Sequence, residues 1–419
     1  MDDDSEYSLD LSLSMEQVLF HDPIHDSFYL PKDICKIIDK PEFQRLRDIK
    51  QTGNTNYVYI GAEHTRFSHS IGVAHLCLEF GRRIMNENPS LLTERQIFLL
   101  TTAGLVHDLG HCAYSHLYDN YIVPMFEPGS HFCHEQASCD IFSMMIKKYS
   151  DLNKIYTEND IKTVQKLIFG SKTKIIDKYK SELKWTQWDV QNMFYYEILA
   201  NERTGIDVDK FDYLKRDSHY TGVNTTFEPN RLINFYYIDK IYTNNVINYR
   251  LNYQSKANEI IEVMWKSRDD LHRRVYQHRV TKCIDIMMID VIKACINQKI
   301  PGTDTMLNKA HNNMESYCMI TDSIIRYIAQ NVPDAKAIFD RIDNRDLWKT
   351  VAVIDSKTIL SSDYIFSDIT VKIARANLRN KQIYYIYCTD EPNTLSSVFY
   401  KELIEYANGE CITLRNKLK

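Results

Sequence analysis

The amino-acid sequence predicts a mainly α-helical protein with a smaller α+β lobe at its C-terminal end. Apolar residues recur at helical spacing before residue 300, most clearly in segments 71–85 and 206–214. After Pro301-Gly302 the pattern changes, and Tyr, Ile and Val become concentrated in three short runs that are typical of strands. These runs are residues 350–354, 369–373 and 383–388.

A helix with a recognisable start leads into a His-Asp pair. Thr93 with Gln96 three residues later predicts a capping box, and an apolar run over 97–106 follows. Gly110 is predicted to end this helix. The run is about half as long as the roughly 20 residues that span a bilayer, so a buried helix is expected.

The chain is expected to have three parts. Residues 1–17 form an acidic tail without an apolar stretch, which predicts disorder and no secretory signal. Residues 18–300 form the helical body, and residues 301–419 form the α+β lobe, which includes a further helix over 314–330. The sequence shows no internal repeats and no low-complexity linker between the body and the lobe. The lobe is therefore expected to pack on the body.

Composition argues against several classes of protein. A net charge of −5 gives no general attraction to nucleic acid or to anionic membranes, although a local basic pocket is compatible with it. The ten cysteines form no CxxC pair, which favours reduced thiols over disulfides or zinc ribbons. Without a basic localisation cluster, the cytoplasm is the expected location, and the nucleus is not excluded.

Histidines cluster in one part of the body, where eight of the 14 lie between His64 and His134. His107-Asp108 is the centre, because imidazole and carboxylate together suit Mn, Fe or Zn, and such an ion activates water and neutralises phosphate charge. A His-Asp pair alone is more often a detail of a helix end, so the prediction depends on its neighbours. These neighbours are His69, His111, His116 and His134.

Two charged segments follow the histidines. Asp209, Tyr213 and Asp217 lie at i, i+4 and i+8 on one helix face, and with Lys210 they could bind metal and phosphate. A solvated, ion-paired helix explains the same spacing. Segment 268–279 combines several arginines with a tyrosine, which fits a nucleotide clamp because guanidinium groups bind phosphate bidentately. A salt-bridged helix surface is an equal alternative there.

Four segments carry a resemblance to a known family: residues 64–73, 107–119, 134–136 and 205–210. In order and spacing they resemble the HD-domain phosphohydrolases, and among these the animal deoxynucleoside triphosphate triphosphohydrolases that combine a SAM domain with an HD domain. The resemblance extends over most of the chain. Because the segment before residue 18 is too short for a SAM domain, this chain is expected to correspond to the catalytic core alone.

The resemblance implies a role for each matching residue. His69, His107, Asp108 and Asp209 would hold a divalent transition metal (Fe, Mn or Zn), with Mg a candidate companion of the triphosphate. The catalytic group would be His111, His116, Asp119, His134 and Glu135, with His116 as candidate general acid. Triphosphate contacts would come from Arg66, Lys210, Tyr213 and Arg268. Sugar and base contacts would come from Gln51, Asp217, Tyr276 and Gln277.

The implied reaction is hydrolysis of a deoxynucleoside triphosphate (dNTP). Metal-bound hydroxide would attack the α-phosphorus, and the products would be deoxynucleoside and inorganic triphosphate. Tyr276 would exclude a 2′-hydroxyl by crowding. Two alternatives stay open, namely an HD phosphohydrolase that acts on another nucleotide and a non-catalytic binder of nucleotides or single-stranded nucleic acid. The residues do not decide which dNTP is preferred.

The resemblance also implies activation by a guanine nucleotide and assembly into a homo-oligomer. Residues that match the guanine-reading positions and the nucleotide clamp are Asp39, Gln44, Arg47, Arg231, Lys256, His278 and Arg279. The chain departs from the family pattern at Val18, His21, Thr52 and Gln254, where the family has Lys, Asn, Leu and Arg. Because each charged contact is worth about 1.5–3 kcal/mol, the loss of two cations predicts activation that is altered, uses another nucleotide or is absent.

Overall fold

The computed structural model describes residues 16–170, 183–243, 246–356, 363–366, 369–378, 381–389 and 411–414. The α-helices are α1 Lys32–Ile38, α2 Pro41–Gln44, α3 Arg66–Glu87, α4 Glu94–Val106, α5 Val123–Phe126, α6 His134–Lys148, α7 Ser150–Asn153, α8 Glu158–Phe169, α9 Gln187–Gln191, α10 Met193–Glu197, α11 Val208–Thr221, α12 Pro229–Ile233, α13 Asn258–Leu271, α14 Arg279–Ala294, α15 Met314–Tyr317, α16 Asp322–Gln330 and α17 Pro333–Asp343. The strands are β1 Gln17–Asp22, β2 Asp26–Pro31, β3 Tyr236–Thr243, β4 Val246–Tyr253, β5 Lys349–Ser356, β6 Asp363–Phe366, β7 Ile369–Leu378, β8 Lys381–Cys388 and β9 Cys411–Leu414. The mainly helical fold with a smaller C-terminal α+β region is therefore confirmed.

Three antiparallel sheets accompany the helices. The strands predicted after residue 300 lie in a sheet with the order β6-β7-β8-β5-β9. Two hairpins, β1-β2 and β3-β4, fall inside the part that was predicted to be mostly helical. In β1 only Asp22 is buried, so the strand lacks the alternation of apolar and polar residues that reveals a half-buried strand. The acidic tail predicted over 1–17 lies almost entirely outside the described residues.

Helices α3 and α4 pack closely at the centre of the body. The predicted capping box is confirmed, since the Thr93 hydroxyl accepts from the Gln96 amide at 3.2 Å and the Gln96 side chain accepts from the Thr93 amide at 2.8 Å. A Cβ atom at Gly104 would lie 2.7 Å from Cys77 Sγ, so only glycine allows this approach. The close packing brings the first turn of α3 beside the last turn of α4.

The predicted end of α4 at Gly110 is wrong. The helix ends at Val106, with His107 as its C-cap in right-handed conformation. Gly110 serves a different purpose, because a Cβ atom there would lie 2.1 Å from the carbonyl oxygen of His134. Ser138 stabilises this close approach, since its hydroxyl donates to the His107 carbonyl at 2.6 Å and accepts from the Gly110 amide at 2.7 Å. The loop after α4 is thus held against the start of α6.

The single helix predicted over 314–330 is also wrong. Two helices, α15 and α16, occupy this segment, and Thr321 separates them as the N-cap of α16. Its hydroxyl accepts from the Ile324 amide at 3.4 Å. A Thr-Asp pair is a usual start of a helix, so the sequence contained the signal for a second helix.

The C-terminal sheet packs on the beginning of α14. Tyr385 and Tyr387 donate their hydroxyl protons to the carbonyl oxygens of Gln277 and Arg279, at 3.3 and 2.5 Å. The cysteines whose state the structure describes are free thiols, as predicted. None of the helices among the described residues is both long and apolar enough to cross a bilayer.

Candidate metal and nucleotide site

The four predicted metal ligands converge from three helices. His69 lies in the first turn of α3, His107 and Asp108 follow α4, and Asp209 lies in the first turn of α11. His69 Nε2 is 3.1 Å from Asp209 Oδ1 and 3.4 Å from Asp108 Oδ2. His107 Nε2 is 3.5 Å from one oxygen of each carboxylate. Two ligands that bind one ion at about 2.1 Å are separated by about 3.0–3.4 Å, so these distances suit a shared ion.

The chemistry of this group fits a divalent cation. Neither His69 Nε2 nor His107 Nε2 has a hydrogen-bonding partner among the described residues, although both atoms are buried. Burial alone would lower the pKa of His69, but the carboxylates of Asp209 and Asp212 raise it to about 10. The pocket therefore favours positive charge. Two imidazoles with two carboxylates are ligands that Mn, Fe and Zn accept.

Asp212 holds His69, one of the predicted metal ligands, in place from behind. Its Oδ2 accepts from His69 Nδ1 at 2.6 Å, and its Oδ1 lies 2.7 Å from His25 Nε2. Arg216 donates to both oxygens at 2.8 Å and also to Asp22 at 2.8 Å. Such partners orient a metal-bound histidine and fix its tautomer. Sequence reasoning missed Asp212 and His25, although Asp212 lies one helical turn after Asp209.

The predicted catalytic group forms a second cluster beside the first. His134 Nδ1 is 2.7 Å from Asp119 Oδ2, and its ring stacks on His111 with centroids 3.9 Å apart. His116 meets the His111 ring edge-on at 4.7 Å, and His134 Nε2 is 3.6 Å from Glu135 Oε2. His111 Nε2 is 3.4 Å from Asp108 Oδ1, which places this cluster next to the predicted metal ligands.

The histidines of this cluster have different protonation preferences. Burial alone would lower the pKa of His134, but Glu135 and Asp119 raise it to about 9. Burial and the nearby Arg66 instead lower the pKa of His116 to about 4, and the same causes hold the pKa of His111 well below its usual value. The surroundings therefore favour the protonated form of His134 and the neutral forms of His111 and His116. The ligand atoms of His111, His116, Asp119 and His134 all lie within 4.8 Å of one another, close enough to bind a cation as well.

A strained turn precedes His116. Tyr114 and Ser115 have φ angles of 59° and 56°, in the left-handed region that non-glycine residues seldom adopt. Asp322 of α16 stabilises the turn, since its carboxylate accepts from the Tyr114 amide at 2.7 Å and from the Lys50 amide at 3.0 Å. The Ser115 hydroxyl donates to the Lys50 carbonyl at 2.6 Å. The position of His116 thus depends on a residue of the C-terminal part of the chain.

A cavity of about 710 Å³ adjoins both clusters. Asp108, Asp209, His111, His116 and His134 line one part of it. Most of the predicted substrate residues line it as well, namely Gln51, Arg66, Tyr213, Asp217, Arg268, Tyr276 and Gln277. Lys210 is not among the lining residues, and its ammonium bonds the Asp207 carboxylate at 3.0 and 3.1 Å. His272 also lines the cavity and was missed by sequence reasoning.

The walls of the cavity are tightly hydrogen-bonded. Arg66 donates to Asp108 Oδ2 at 2.5 Å, to the Ser115 hydroxyl at 3.0 Å and to the Gln51 carbonyl at 3.1 Å. The Tyr276 hydroxyl donates to Asp217 Oδ2 at 2.5 Å, and the other oxygen of Asp217 lies 2.7 Å from His64 Nε2. The segment that contains Tyr276 is a π-helical turn, His272–Tyr276, between α13 and α14 rather than one continuous helix.

The residues predicted to bind an activating nucleotide lie in separate places. Asp39, Gln44 and Arg47 lie near one another, and Arg47 Nε donates to Gln44 Oε1 at 2.9 Å. No hydrogen bond among the described residues joins them to the others. The others are Arg231 on α12, Lys256 before α13, and His278 and Arg279 at the start of α14. Among the departures from the family pattern, Val18 and His21 lie on β1, and His21 Nδ1 is 3.1 Å from the Ser27 hydroxyl.

Comparison with known proteins agrees with this geometry. The HD-domain profile matches residues 66–217, which contain both clusters. The chain is 36% identical over 349 residues to deoxynucleoside triphosphate triphosphohydrolase SAMHD1 of Bos taurus, which covers 80% of this chain and 58% of that protein. The corresponding protein of Homo sapiens is 34% identical over 347 residues, 80% of this chain and 54% of that protein. This chain thus spans little more than half the length of these relatives.

A viral relative is matched over more of its own length. The HD domain-containing protein L394 of Acanthamoeba polyphaga mimivirus is 30% identical over 353 residues, which are 76% of this chain and 70% of that protein. With the HD-domain match across the site, this coverage establishes the relationship. The chain belongs to the HD-domain protein family.

Proposed function

We propose that this protein hydrolyses deoxynucleoside triphosphates to deoxynucleoside and inorganic triphosphate. One observation carries the proposal: His69, His107, Asp108 and Asp209 converge beside a histidine cluster, at a cavity whose lining also includes Arg66, Arg268, Tyr213 and Tyr276. The relatives named as deoxynucleoside triphosphate triphosphohydrolases support the same reaction.

The cationic side chains of the cavity suit a triphosphate. Arg66 and Arg268 both line it, and Arg268 Nε is buried without a hydrogen-bonding partner among the described residues. A buried, unpaired guanidinium nitrogen is costly unless a ligand accepts its proton, and phosphate oxygens do so well. Tyr213, which lines the same cavity, offers a further donor, since burial raises its pKa to about 12 and keeps it protonated.

The proposed chemistry divides between the two clusters. A divalent ion held by His69, His107, Asp108 and Asp209 would activate water and offset phosphate charge. Attack of the water oxygen on the α-phosphorus breaks the bond to the 5′-oxygen, which leaves as the deoxynucleoside after it accepts a proton. His116 is the candidate donor of that proton. The anionic triphosphate counteracts Arg66 and so raises the pKa of His116 from about 4 toward the range of a general acid.

The sugar is expected to lie against Tyr276. Tyr276 donates a hydrogen bond to Asp217, which also accepts from His64 Nε2, and these contacts fix the ring in one orientation. A fixed ring leaves no room to adapt to a 2′-hydroxyl. Tyr276→Ala should therefore raise kcat/KM for GTP relative to dGTP, and an unchanged ratio would remove this residue from sugar selection.

The decisive experiment is incubation of the purified protein with dGTP and Mn²⁺, with separation of the products by chromatography. Deoxyguanosine and triphosphate are expected, and Asp108→Asn should abolish their release. Formation of dGMP and pyrophosphate, or no turnover with any dNTP, would refute the proposal. Hydrolysis of nucleoside monophosphates would support the broader HD phosphohydrolase alternative. Bound nucleotide without turnover would support the non-catalytic binder.

The metal, the activator and the assembly are part of the proposal. Elemental analysis of the purified protein should find Fe, Mn or Zn, and Asp209→Ala should remove it. Activation by a guanine nucleotide would appear as a rise in dATP hydrolysis after addition of GTP, together with a larger oligomer in sedimentation. Equal rates and equal mass with and without GTP would mean that the substitutions at Val18 and Gln254 have ended this regulation.

A further inference from the structure

One end of the nucleotide cavity lies away from the metal ligands. A smaller cavity of about 190 Å³ adjoins the larger one, and the residues lining it include none of the metal ligands or clustered histidines. Both cavities share Leu117, Tyr121, Lys282, Asp285 and Ile373. These five residues therefore mark the part of the larger cavity that adjoins the smaller one. If the α-phosphate binds at the metal, as the proposed function requires, the nucleobase reaches toward this end.

Lys282 and Asp285 form a charged pair there, one turn apart on α14. Lys282 Nζ is 3.0 Å from Asp285 Oδ2, and Asn54 donates to Asp285 Oδ1 at 2.9 Å. Both side chains of the pair are only 14% exposed. Burial works to lower the pKa of Lys282, but Asp285 raises it above its usual value, so the ammonium keeps its proton. A fixed cationic donor thus lies beside a fixed anionic acceptor at the cavity wall.

Unpartnered polar atoms accompany this pair. Thr281 Oγ1, Gln51 Oε1 and Gln277 Oε1 are buried, line the larger cavity and have no hydrogen-bonding partner among the described residues. Gln51 is three residues before Asn54, which contacts Asp285, and Thr281 directly precedes Lys282. A buried polar group without a partner costs free energy, so such atoms indicate the position of a polar ligand. Ile373 of β7 and Leu117 give the same end apolar surface for a flat ring.

We propose that Lys282 and Asp285 read the nucleobase and make guanine the preferred base. The edge of guanine carries an acceptor, O6, next to two donors, N1–H and the 2-amino group. Lys282 can donate to O6 while the Asp285 carboxylate accepts from both donors. Adenine presents an amino group where guanine has O6, so a donor would face the ammonium. Pyrimidines are shorter by one ring and do not reach the carboxylate.

The test compares kcat/KM for dGTP, dATP, dCTP, dTTP and dITP in the presence of Mn²⁺. Because a bidentate contact discriminates by about 5- to 150-fold, dGTP should exceed dATP by such a factor, with dITP between them because it lacks the 2-amino group. Asp285→Asn and Lys282→Met should bring the ratio of dGTP to dATP close to one. The ratio is taken within each variant, so partial unfolding, which lowers both rates alike, does not affect it.

Asp340→Asn is the matched control, since it breaks an exposed Lys336–Asp340 pair on α17 and should keep the wild-type ratio. A wild-type ratio near one, or an Asp285→Asn variant that slows all five substrates equally, would overturn the inference. If no dNTP is hydrolysed, the proposed function fails separately. In that case the inference is tested by calorimetric titration of the protein with dGTP and with dATP in the presence of Mn²⁺. Tighter dGTP binding that Asp285→Asn abolishes supports the pair, and equal binding overturns it.

Discussion

Substitution of Asp212 by asparagine should weaken both the fold and the metal centre. Both carboxylate oxygens accept from Arg216 at 2.8 Å, and one also accepts from His69 at 2.6 Å. Asparagine replaces one oxygen by an amino group, so in either orientation a donor faces Arg216 and one of the two histidines that contact Asp212. Two charge-assisted hydrogen bonds are lost in each case.

The expected loss of stability follows from these contacts. Hydrogen bonds to charged groups are worth about 1.5–3 kcal/mol each, and Asp22 continues to pair with Arg216 at 2.8 Å. The free energy of unfolding should therefore fall by about 3 kcal/mol, a sizeable part of the roughly 5–15 kcal/mol of a typical domain. Metal affinity should fall about 10- to 100-fold, because His69 loses the anionic partner that orients it.

Two measurements separate these effects. Urea unfolding is followed in the presence of a chelator, because bound metal would itself add to stability. Mn²⁺ affinity is measured by competition with a chelating dye. Asp22→Asn is the matched control, since Asp22 pairs with Arg216 but makes no hydrogen bond to His69. This control should lose stability and retain its metal affinity. Unchanged Mn²⁺ affinity in Asp212→Asn, or an equal loss in both variants, would refute the reasoning.

Three further predictions test separate features. Thr93→Ala removes the capping box of α4 and should lower the free energy of unfolding by about 0.5–2 kcal/mol in urea, whereas no change would make the cap irrelevant to stability. Gly110→Ala places a methyl group 2.1 Å from the His134 carbonyl and should destabilise by at least about 1–3 kcal/mol; an unaltered melting temperature would contradict the close packing. His116→Gln should lower kcat for dNTP hydrolysis about 10²- to 10⁴-fold with little change in KM. A rise in KM instead would make His116 a binding residue.

The predicted metal ligands, which the structure brings together, could be picked out from the sequence because they belong to contiguous motifs. His107-Asp108 follows a capped apolar helix, and Asp209 lies on a charged helix face, so each could be recognised locally. Asp212 and His25 were not predicted because their role depends on a contact between them, and they are 187 residues apart in the sequence. No local pattern distinguishes Asp212 from an ordinary helical acid, since its burial beside His69 exists only in the folded chain.

Local patterns also misjudged some elements. Gly110 matched the usual residue after a helix, but tight packing against α6 explains the glycine instead. The hairpins of the body have few buried apolar residues. The helical spacing of the surrounding segments therefore led to the prediction of an almost entirely helical body. The division of the chain at residue 300 and the positions assigned to an activating nucleotide stay predictions.

The buried carboxylate of Asp322 has a consequence for the evolution of this chain. It supports the left-handed turn of Tyr114 and Ser115, yet it lies well beyond the segment that matches the HD domain. The segment that matches the HD domain therefore depends on a residue that lies outside it. An exchange of C-terminal parts between relatives must supply an acceptor at this position, or the recombinant inherits the predicted metal ligands while His116 is misplaced. The segment that matches the HD domain and the C-terminal part of the chain are therefore expected to be inherited together.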